Sequence, residues 1–242
     1  MLTNLWTLYS KQAKRNIMYN LNAFDFQYRN EPYELGFERI LTGITACYRM
    51  MIKDNVTVPS NDENRIRDIL LLDYLKKRDI KNRVNLTDYR FDREIPEDCT
   101  KGRVDIRVIS KNDFEIDEAY YSIECKRLDN KNLMGTTGLN AEYIKNGILR
   151  FIERQYSAFY GVNGMIGFVV ERMNIADNIK SINGLLNSKF PSTNTKKKLT
   201  PVDFIKKFKY SYYSIHKDIE NKIIKLYHLM FDFSANLHEE NL

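Results

Sequence analysis

The sequence has few of the residues that build disulfide frameworks, zinc sites or membrane spans. Its 242 residues include only three cysteines, Cys47, Cys99 and Cys125, which are far apart and odd in number. This argues against a disulfide framework or a cysteine-ligated zinc site and favours a reducing compartment. The N-terminal residues lack the basic segment and apolar core of a secretory signal, and the longest apolar run, near Gly164 to Val170, is far too short to span a bilayer. We therefore expect a cytoplasmic protein with no membrane partner.

Histidines are also few, and no phosphate-binding glycine loop occurs. His216, His228 and His238 do not have the spacing of metal ligands, so we expect packing or surface roles for them. Because a Gly-x-x-x-x-Gly-Lys-Thr loop is missing, any energy-dependent activation would have to come from another subunit. Hydrophobic residues make up 43% of the chain and charged residues 29%, which is typical of a folded protein. The net charge of +6 favours a polyanionic partner without identifying one.

The apolar periodicity predicts helices in the N-terminal part and then a mixture of strands and helices. Helices are predicted over Leu2–Phe24, Glu34–Lys53, Glu63–Lys77, Asn140–Phe159 and Ile175–Leu186. Strands are predicted over Tyr89–Ile95, Arg103–Ser110, Ala119–Leu128, Gly164–Val170, Tyr210–His216 and Ile223–Phe233. We interpret residues 1–58 as an N-terminal helical extension and residues 59–242 as one larger domain.

The segment Ser188–Pro201 is predicted to be a polar loop. It contains Lys196, Lys197 and Lys198, which could follow a nucleic-acid backbone, although a lysine cluster in a loop is more often only exposed to solvent. The tyrosines at 210, 212 and 213 could stack on bases, but strand packing is the commoner role. The sequence therefore favours the structural interpretation at both places.

Charged residues interrupt two neighbouring predicted strands that are otherwise rich in apolar residues. Asp105 lies on the first strand, and Glu124 and Lys126 share one face of the second because side chains alternate across a strand. The polar segment Lys111–Glu118 joins the strands as a hairpin, so the two carboxylates and the ammonium can converge. The alternative is a cross-strand salt bridge, which would leave one carboxylate without a partner.

A third carboxylate, Glu63, begins a predicted helix after the capping segment Pro59–Asp62. It falls on the same helix stripe as the apolar residues that follow, which predicts a position on the buried side. The helix dipole alone could also account for a glutamate in the first turn. Magnesium needs few protein carboxylates, so Glu63, Asp105 and Glu124, with the backbone carbonyl of Cys125, form a chemically adequate ligand set.

Taken together, these residues resemble the motif of the PD-(D/E)xK nuclease superfamily. The resemblance covers roughly Asn61 to Glu171, and Val104 stands where the motif has its proline. It implies an α/β protein with the restriction-endonuclease-like fold, a central mixed β-sheet flanked by helices. It also implies magnesium-dependent cleavage of nucleic acid, with metal at Asp105 and Glu124, Lys126 assisting the water and Glu63 as an additional carboxylate. Manganese is expected to substitute for magnesium.

The leading hypothesis is therefore a metal-dependent nuclease that hydrolyses DNA, the effector of a bacterial restriction or antiphage-defence system. Its catalytic residues would be Glu63, Asp105, Glu124 and Lys126. Two alternatives stay open, a non-catalytic nucleic-acid-binding or scaffolding subunit and a nuclease acting on RNA. The N-terminal helices are candidates for docking a protein partner or a second copy of the chain.

The predicted helix after the site carries several polar side chains. Lys145, Arg150, Arg154 and Gln155 could each meet phosphate or support Glu124, and Lys145 and Gln155 are the candidate nucleic-acid contacts. More often such residues form a solvated face with local pairs, here to Glu142 and Glu153. Gln155 with Tyr156 and Tyr160 matches the glutamine-tyrosine helix of some superfamily members only loosely, so neither tyrosine is assigned a role.

Overall fold

The computed structural model describes residues 31–96, 103–113, 116–157 and 159–238. The predicted helix over Leu2–Phe24 and the cysteine at position 99 lie outside these residues. The N-terminal elements are α1 (Glu31–Lys53), α2 (Glu63–Asp68), which continues as a π-helical turn (Ile69–Leu75), and α3 (Arg78–Arg83). Three strands follow, β1 (Tyr89–Pro96), β2 (Arg103–Ser110) and β3 (Tyr121–Leu128).

The second half of the chain alternates helices with the remaining strands. Helix α4 (Leu139–Tyr143) runs through a π-helical turn (Ile144–Ile148) into α5 (Leu149–Ile152). The chain continues with β4 (Val162–Val169), α6 (Ile175–Ser188), β5 (Thr195–Pro201), β6 (Ser211–Lys217) and β7 (Ile223–Asp232).

All seven strands form one mixed sheet in the order β1-β2-β3-β4-β7-β6-β5. Strands β3, β4 and β7 are parallel to one another, and the outer pairs on both sides are antiparallel. The sequence-based expectation of an α/β protein with a mixed sheet flanked by helices is confirmed. The predicted hairpin between β2 and β3 and the crossover from β3 to β4 are confirmed as well.

Alternate residues of the central strand β4 divide the core into two halves. Ile166 and Phe168 contribute to the half covered by α1 and α2, whereas Met165 and Val169 contribute to the half covered by α4, α5 and α6. Every residue of β4 is buried, as expected for a strand covered on both faces. Helix α1 belongs to the first half, where the ring of Phe37 stacks on Tyr121 with centroids 4.8 Å apart. The boundary at residues 58 and 59 stays a prediction.

Two sequence predictions are wrong. The lysine-containing segment is an edge strand, β5, paired antiparallel with β6, and not a loop. An edge strand that faces solvent does not need alternating apolar residues. The sequence of β5 therefore lacks the pattern by which a strand is predicted. The helix predicted to reach Phe159 ends at Ile152, and Arg154 has a φ of 57°, which takes the chain out of the helix. The short helix α3 was also not predicted.

Candidate active site

The candidate site lies where β2 and β3 stop pairing. Their ladder extends only from Ile106 opposite Ile123 to Val108 opposite Tyr121, so the N–H groups of Cys125 and Arg127 lie beyond its end. Carboxylates accept both of these hydrogen bonds. Cys125 donates to Asp105 Oδ2 at 2.8 Å, and Arg127 donates to Glu63 Oε2 at 2.8 Å. The carboxylates therefore have a structural role, because buried backbone donors need partners.

Glu63 reaches β3 because helix α2 begins beside the strand. The side chain of Asp62 accepts a hydrogen bond from the backbone N–H of Arg65 and fixes the first turn. Ile66, Leu70 and Tyr74, three to eleven residues after Glu63 on the predicted stripe, are all buried. The predicted burial is confirmed for these three apolar residues, whereas the side chain of Glu63 remains 27% exposed.

The ammonium of Lys126 lies at the centre of the cluster. Its Nζ is 2.9 Å from Glu63 Oε1, 2.7 Å from Glu124 Oε1, 2.8 Å from the carbonyl oxygen of Cys125 and 3.9 Å from Asp105 Oδ2. Only 8% of Lys126 is exposed. The sequence analysis predicted that these groups would converge, and they do, with the lysine as the cation between the carboxylates.

A second cation, Arg67, binds the opposite side of Asp105. Its Nη1 donates to Asp105 Oδ1 at 2.9 Å and to Asn64 Oδ1 at 3.1 Å, and its Nη2 lies 2.9 Å from Asp68 Oδ1. The residue is 1% exposed. Sequence reasoning missed Arg67, although it lies four residues after Glu63, a spacing that puts both side chains on the same face of a helix.

Glu124 is fully buried, and besides Lys126 its carboxylate contacts two side chains, those of Arg150 and Tyr156. Arg150 Nη1 lies 2.9 Å from Glu124 Oε1, and the hydroxyl of Tyr156 donates to Glu124 Oε2 at 2.6 Å. Arg150 Nη1 also donates to the Tyr156 oxygen at 2.8 Å. The expected solvated face is therefore wrong for Arg150, which supports Glu124, and Tyr156 acquires a role that the sequence did not assign.

The two candidate nucleic-acid contacts on this helix and its following turn bind elsewhere. Lys145 Nζ donates to the carbonyl oxygen of Thr136 at 2.7 Å, and Gln155 Nε2 donates to Glu153 Oε2 at 2.7 Å. The pair between Gln155 and Glu153 is the local one that the solvated-face interpretation expects. Contact of either residue with nucleic acid stays a prediction.

The net effect of burial and neighbouring charges is to raise the pKa values of both Glu124 and Lys126. Burial and the negative charge of Asp105 raise the pKa of Glu124 to about 7, against the lowering effect of Lys126 and Arg150. Burial alone would lower the pKa of Lys126, but Glu124, Asp105 and Glu63 outweigh it and raise that pKa above its ordinary value. In the arrangement described here Lys126 is therefore an ammonium and a hydrogen-bond donor, and not a base.

A groove of ≈ 420 Å³ gives access to one side of the cluster. Glu63, Lys126 and Arg150 line it, together with Arg127, Leu139 and the polar residues Asn61, Asp62, Asn64, Glu142 and Asn146. The side chain of Glu63 is 27% exposed, whereas that of Glu124 is not exposed at all. Of the cluster's side chains, a ligand in the groove would therefore meet Glu63 and Arg150 before it reached Lys126.

The cluster contains the oxygen ligands of a magnesium site, but the ammonium of Lys126 occupies the point that these oxygens share. Carboxylate and carbonyl oxygens are the ligands that Mg²⁺ prefers, and oxygens of Glu63, Glu124 and Cys125 all approach one point, the Lys126 ammonium. Among the residues that the structure describes, no three His, Cys, Asp or Glu side chains are grouped so that they could hold a metal ion. Binding of an ion by this set would require the ammonium to move.

Comparisons with known proteins give no relative. No protein-family model, curated protein or solved structure matches this chain. Within the described residues, no helix is both long and apolar enough to cross a membrane. The geometry of the cluster is therefore the main indication of what this chain does.

Proposed function

We propose that this chain is a magnesium-dependent nuclease that hydrolyses phosphodiester bonds in DNA. The observation that supports it is the approach of Glu63, Asp105 and Glu124, from one helix and two adjacent strands, to the single ammonium of Lys126. A simple cross-strand salt bridge needs one carboxylate, whereas this cluster gathers three. The proposal includes the restriction-endonuclease-like fold, which would account for the mixed sheet flanked by helices, and a cytoplasmic location.

Each residue has a part in this proposal. Magnesium, when bound, supplies charge neutralisation at the phosphoryl group and activates water. Glu63, Asp105 and Glu124, with the carbonyl oxygen of Cys125, would hold the ion. Lys126 would then donate to a phosphoryl oxygen and stabilise the negative charge that develops there. Manganese, which also prefers oxygen ligands, is expected to replace magnesium.

Three further side chains position the proposed metal ligands. Arg67 fixes Asp105 from the side of helix α2. Arg150 and Tyr156 fix Glu124, so that its carboxylate has both oxygens in defined positions. Such support is what a site needs if its ligands are to be held before the substrate arrives.

The test is cleavage by the purified protein with Mg²⁺, Mn²⁺ or EDTA, on single-stranded and double-stranded DNA and RNA. We expect cleavage of DNA that needs the metal and is lost in Asp105→Asn and in Lys126→Gln. The matched control is Asp79→Asn, because Asp79 is exposed and pairs with Arg83 away from the cluster. Circular dichroism and thermal unfolding check that the variants fold. Cleavage that persists in both cluster variants would reject the site, and cleavage of RNA alone would transfer the proposal to RNA.

One observation favours a second candidate, a non-catalytic nucleic-acid-binding subunit. Each of the three carboxylates is already paired with at least one of the cations Lys126, Arg67 and Arg150, so a divalent ion would have to compete with them. Isothermal titration with Mg²⁺ and Mn²⁺ separates the candidates. The absence of metal binding, together with retained nucleic-acid binding, would support this second candidate over the nuclease.

A further inference from the structure

The positive charge of the protein is concentrated in one short part of the chain. Residues Thr195 to Lys217 contain seven lysines and one aspartate, a formal charge of +6. The whole chain also has a net charge of +6, so the rest of it is neutral overall. A uniform excess of charge would say little about partners, but an excess confined to one region identifies a surface.

This region lies at the open edge of the sheet, on β5 and on the segment that joins it to β6. Six of its lysines are exposed, and we call them the basic edge: Lys196, Lys197, Lys198, Lys206, Lys207 and Lys209. None of the six forms an ion pair within the part of the chain that the structure describes. Arg67, Lys126 and Arg150, by contrast, are all paired with carboxylates.

Aromatic rings lie among these lysines. A groove of ≈ 780 Å³ is lined by Tyr48, Phe208 and Tyr210, together with Lys207, Lys209, Asp203, Pro201 and Val202. The ammonium of Lys209 lies 4.9 Å from the centre of the Tyr210 ring, and that of Lys197 lies 4.5 Å from the centre of the Tyr213 ring. Phe208, Tyr210 and Tyr213 are each only partly buried.

We propose that the basic edge binds single-stranded nucleic acid, with phosphates on the lysines and an unstacked base in the groove beside Tyr210. Exposed lysines alone would also protect an edge strand from pairing with another chain. That explanation covers Lys196 to Lys198, but it does not cover Lys206, Lys207 and Lys209, which lie after the strand, or the aromatic groove. Basic side chains that follow the backbone and aromatic rings that stack on bases are the combination that binds single strands.

The basic edge is separate from the carboxylate cluster. Strands β4, β7 and β6 lie between β3 and β5, which corresponds to about 19 Å at roughly 4.8 Å for each strand step. Binding at the basic edge should therefore need neither a metal ion nor an intact cluster. Failure of the nuclease proposal would therefore not contradict binding at the basic edge, and failure of such binding would not contradict the nuclease proposal.

Fluorescence anisotropy in EDTA tests the proposal, with an oligothymidine of about 20 nucleotides, longer than common single-strand sites of roughly 4–16 nucleotides. The protein is the full chain carrying Asp105→Asn. One variant combines Lys196→Gln, Lys197→Gln and Lys198→Gln, and a second combines Lys206→Gln, Lys207→Gln and Lys209→Gln. The matched control combines Lys53→Gln, Lys76→Gln and Lys77→Gln, which removes the same charge from exposed positions on other elements.

We expect each basic-edge variant to bind at least tenfold more weakly and the control to bind nearly as the parent does. The slope of log K against log salt concentration should fall by about 2 if three phosphate contacts are lost, at roughly 0.7 for each contact on a single strand. Tyr210→Leu should weaken binding of the single strand about fivefold or more and leave a duplex unaffected.

Three results would overturn the proposal. The first is the absence of binding by the parent protein, and the second is an equal loss in the control variant, which would indicate attraction by net charge alone. The third is binding to vesicles of phosphatidylserine and phosphatidylcholine without binding to oligothymidine, which would assign the surface to an anionic membrane. Retained folding of all variants is checked by thermal unfolding.

Discussion

Arg67 and Asp105 form a buried ion pair, with Nη1 of the arginine 2.9 Å from Oδ1 of the aspartate, that ties the first turns of helix α2 to strand β2. The side chain of Arg67 is 2% exposed and that of Asp105 is 14% exposed. The pair therefore has little solvent to screen it, and its two members depend on each other. It also determines which side of Asp105 remains available to a ligand.

We predict that Arg67→Met destabilises the protein by about 3–5 kcal/mol, because it leaves Asp105 as a partly buried charge without that cation. Urea unfolding followed by circular dichroism measures the loss. The double variant Arg67→Met with Asp105→Asn should recover part of it, since the unpaired charge is then gone. A double variant whose loss equals the sum of the two single losses would contradict the pairing.

Lys126 acts in this structure as the cation that the three carboxylates share. We predict that Lys126→Met unfolds at a lower temperature than the parent in EDTA, because the carboxylates are left to repel one another. Millimolar Mg²⁺ should raise the unfolding temperature of Lys126→Met more than that of the parent, since an ion can then occupy the position of the ammonium. Differential scanning fluorimetry gives both values. An equal magnesium effect on the two proteins would contradict this role, and Asp79→Asn serves as the control for general salt effects.

The hydroxyl of Tyr156 is the donor to Glu124 Oε2, whereas Lys126 pairs with Glu124 Oε1. We predict that Tyr156→Phe lowers the free energy of unfolding by about 1–3 kcal/mol, because a buried carboxylate oxygen loses its donor. Tyr33→Phe is the matched control, as the Tyr33 residue is 37% exposed. If Tyr156→Phe is no less stable than Tyr33→Phe, the hydroxyl does not support Glu124.

Whether a residue of the site can be predicted from the sequence depends on how far along the chain its partner lies. Asp105, Glu124 and Lys126 could be predicted because strand alternation and one hairpin bring them together. Tyr156 could not, because it contacts a residue 32 positions away and lies after the positive-φ residue Arg154, outside the helix that the sequence predicts there. Arg67 has a sequence signal, its four-residue spacing after Glu63, but that spacing alone does not distinguish a buried arginine from a solvated one. Strand β5 was missed because its three lysines suit an exposed edge as well as they suit a loop.

A chain of four hydrogen bonds crosses the second half of the core, and its direction can be deduced. His216 Nδ1 lies 3.0 Å from the carbonyl oxygen of Thr193, which can only accept, so Nδ1 carries the proton. Ser214 then donates to His216 Nε2 and accepts from His228 Nε2, each at 2.7 Å. The Nδ1 of His228 is left to accept from the hydroxyl of Tyr143 at 2.8 Å. We predict the Nδ1–H tautomer for His216 and the Nε2–H tautomer for His228, and long-range ¹H–¹⁵N correlation spectra would contradict the chain if they show the reverse.

The same two histidines should make the stability depend on pH. Burial lowers the pKa of His216 to about 4 and that of His228 well below its ordinary value. Both are therefore neutral in the folded protein, whereas in the unfolded chain they take up protons near pH 6.5. Because the unfolded state binds more protons at these two sites, the histidines should lower the free energy of unfolding as the pH drops below about 6.5, by roughly 2 kcal/mol each between pH 7 and 5. Glu124, whose pKa is raised to about 7, contributes in the opposite sense over the same range, because its folded form takes up a proton before its unfolded form does. Urea unfolding at pH 5, 6 and 7 measures this slope. Relative to the parent, His216→Asn should be roughly 2 kcal/mol less sensitive to the change from pH 7 to pH 5. A variant with the same slope as the parent would assign the acid sensitivity to other groups.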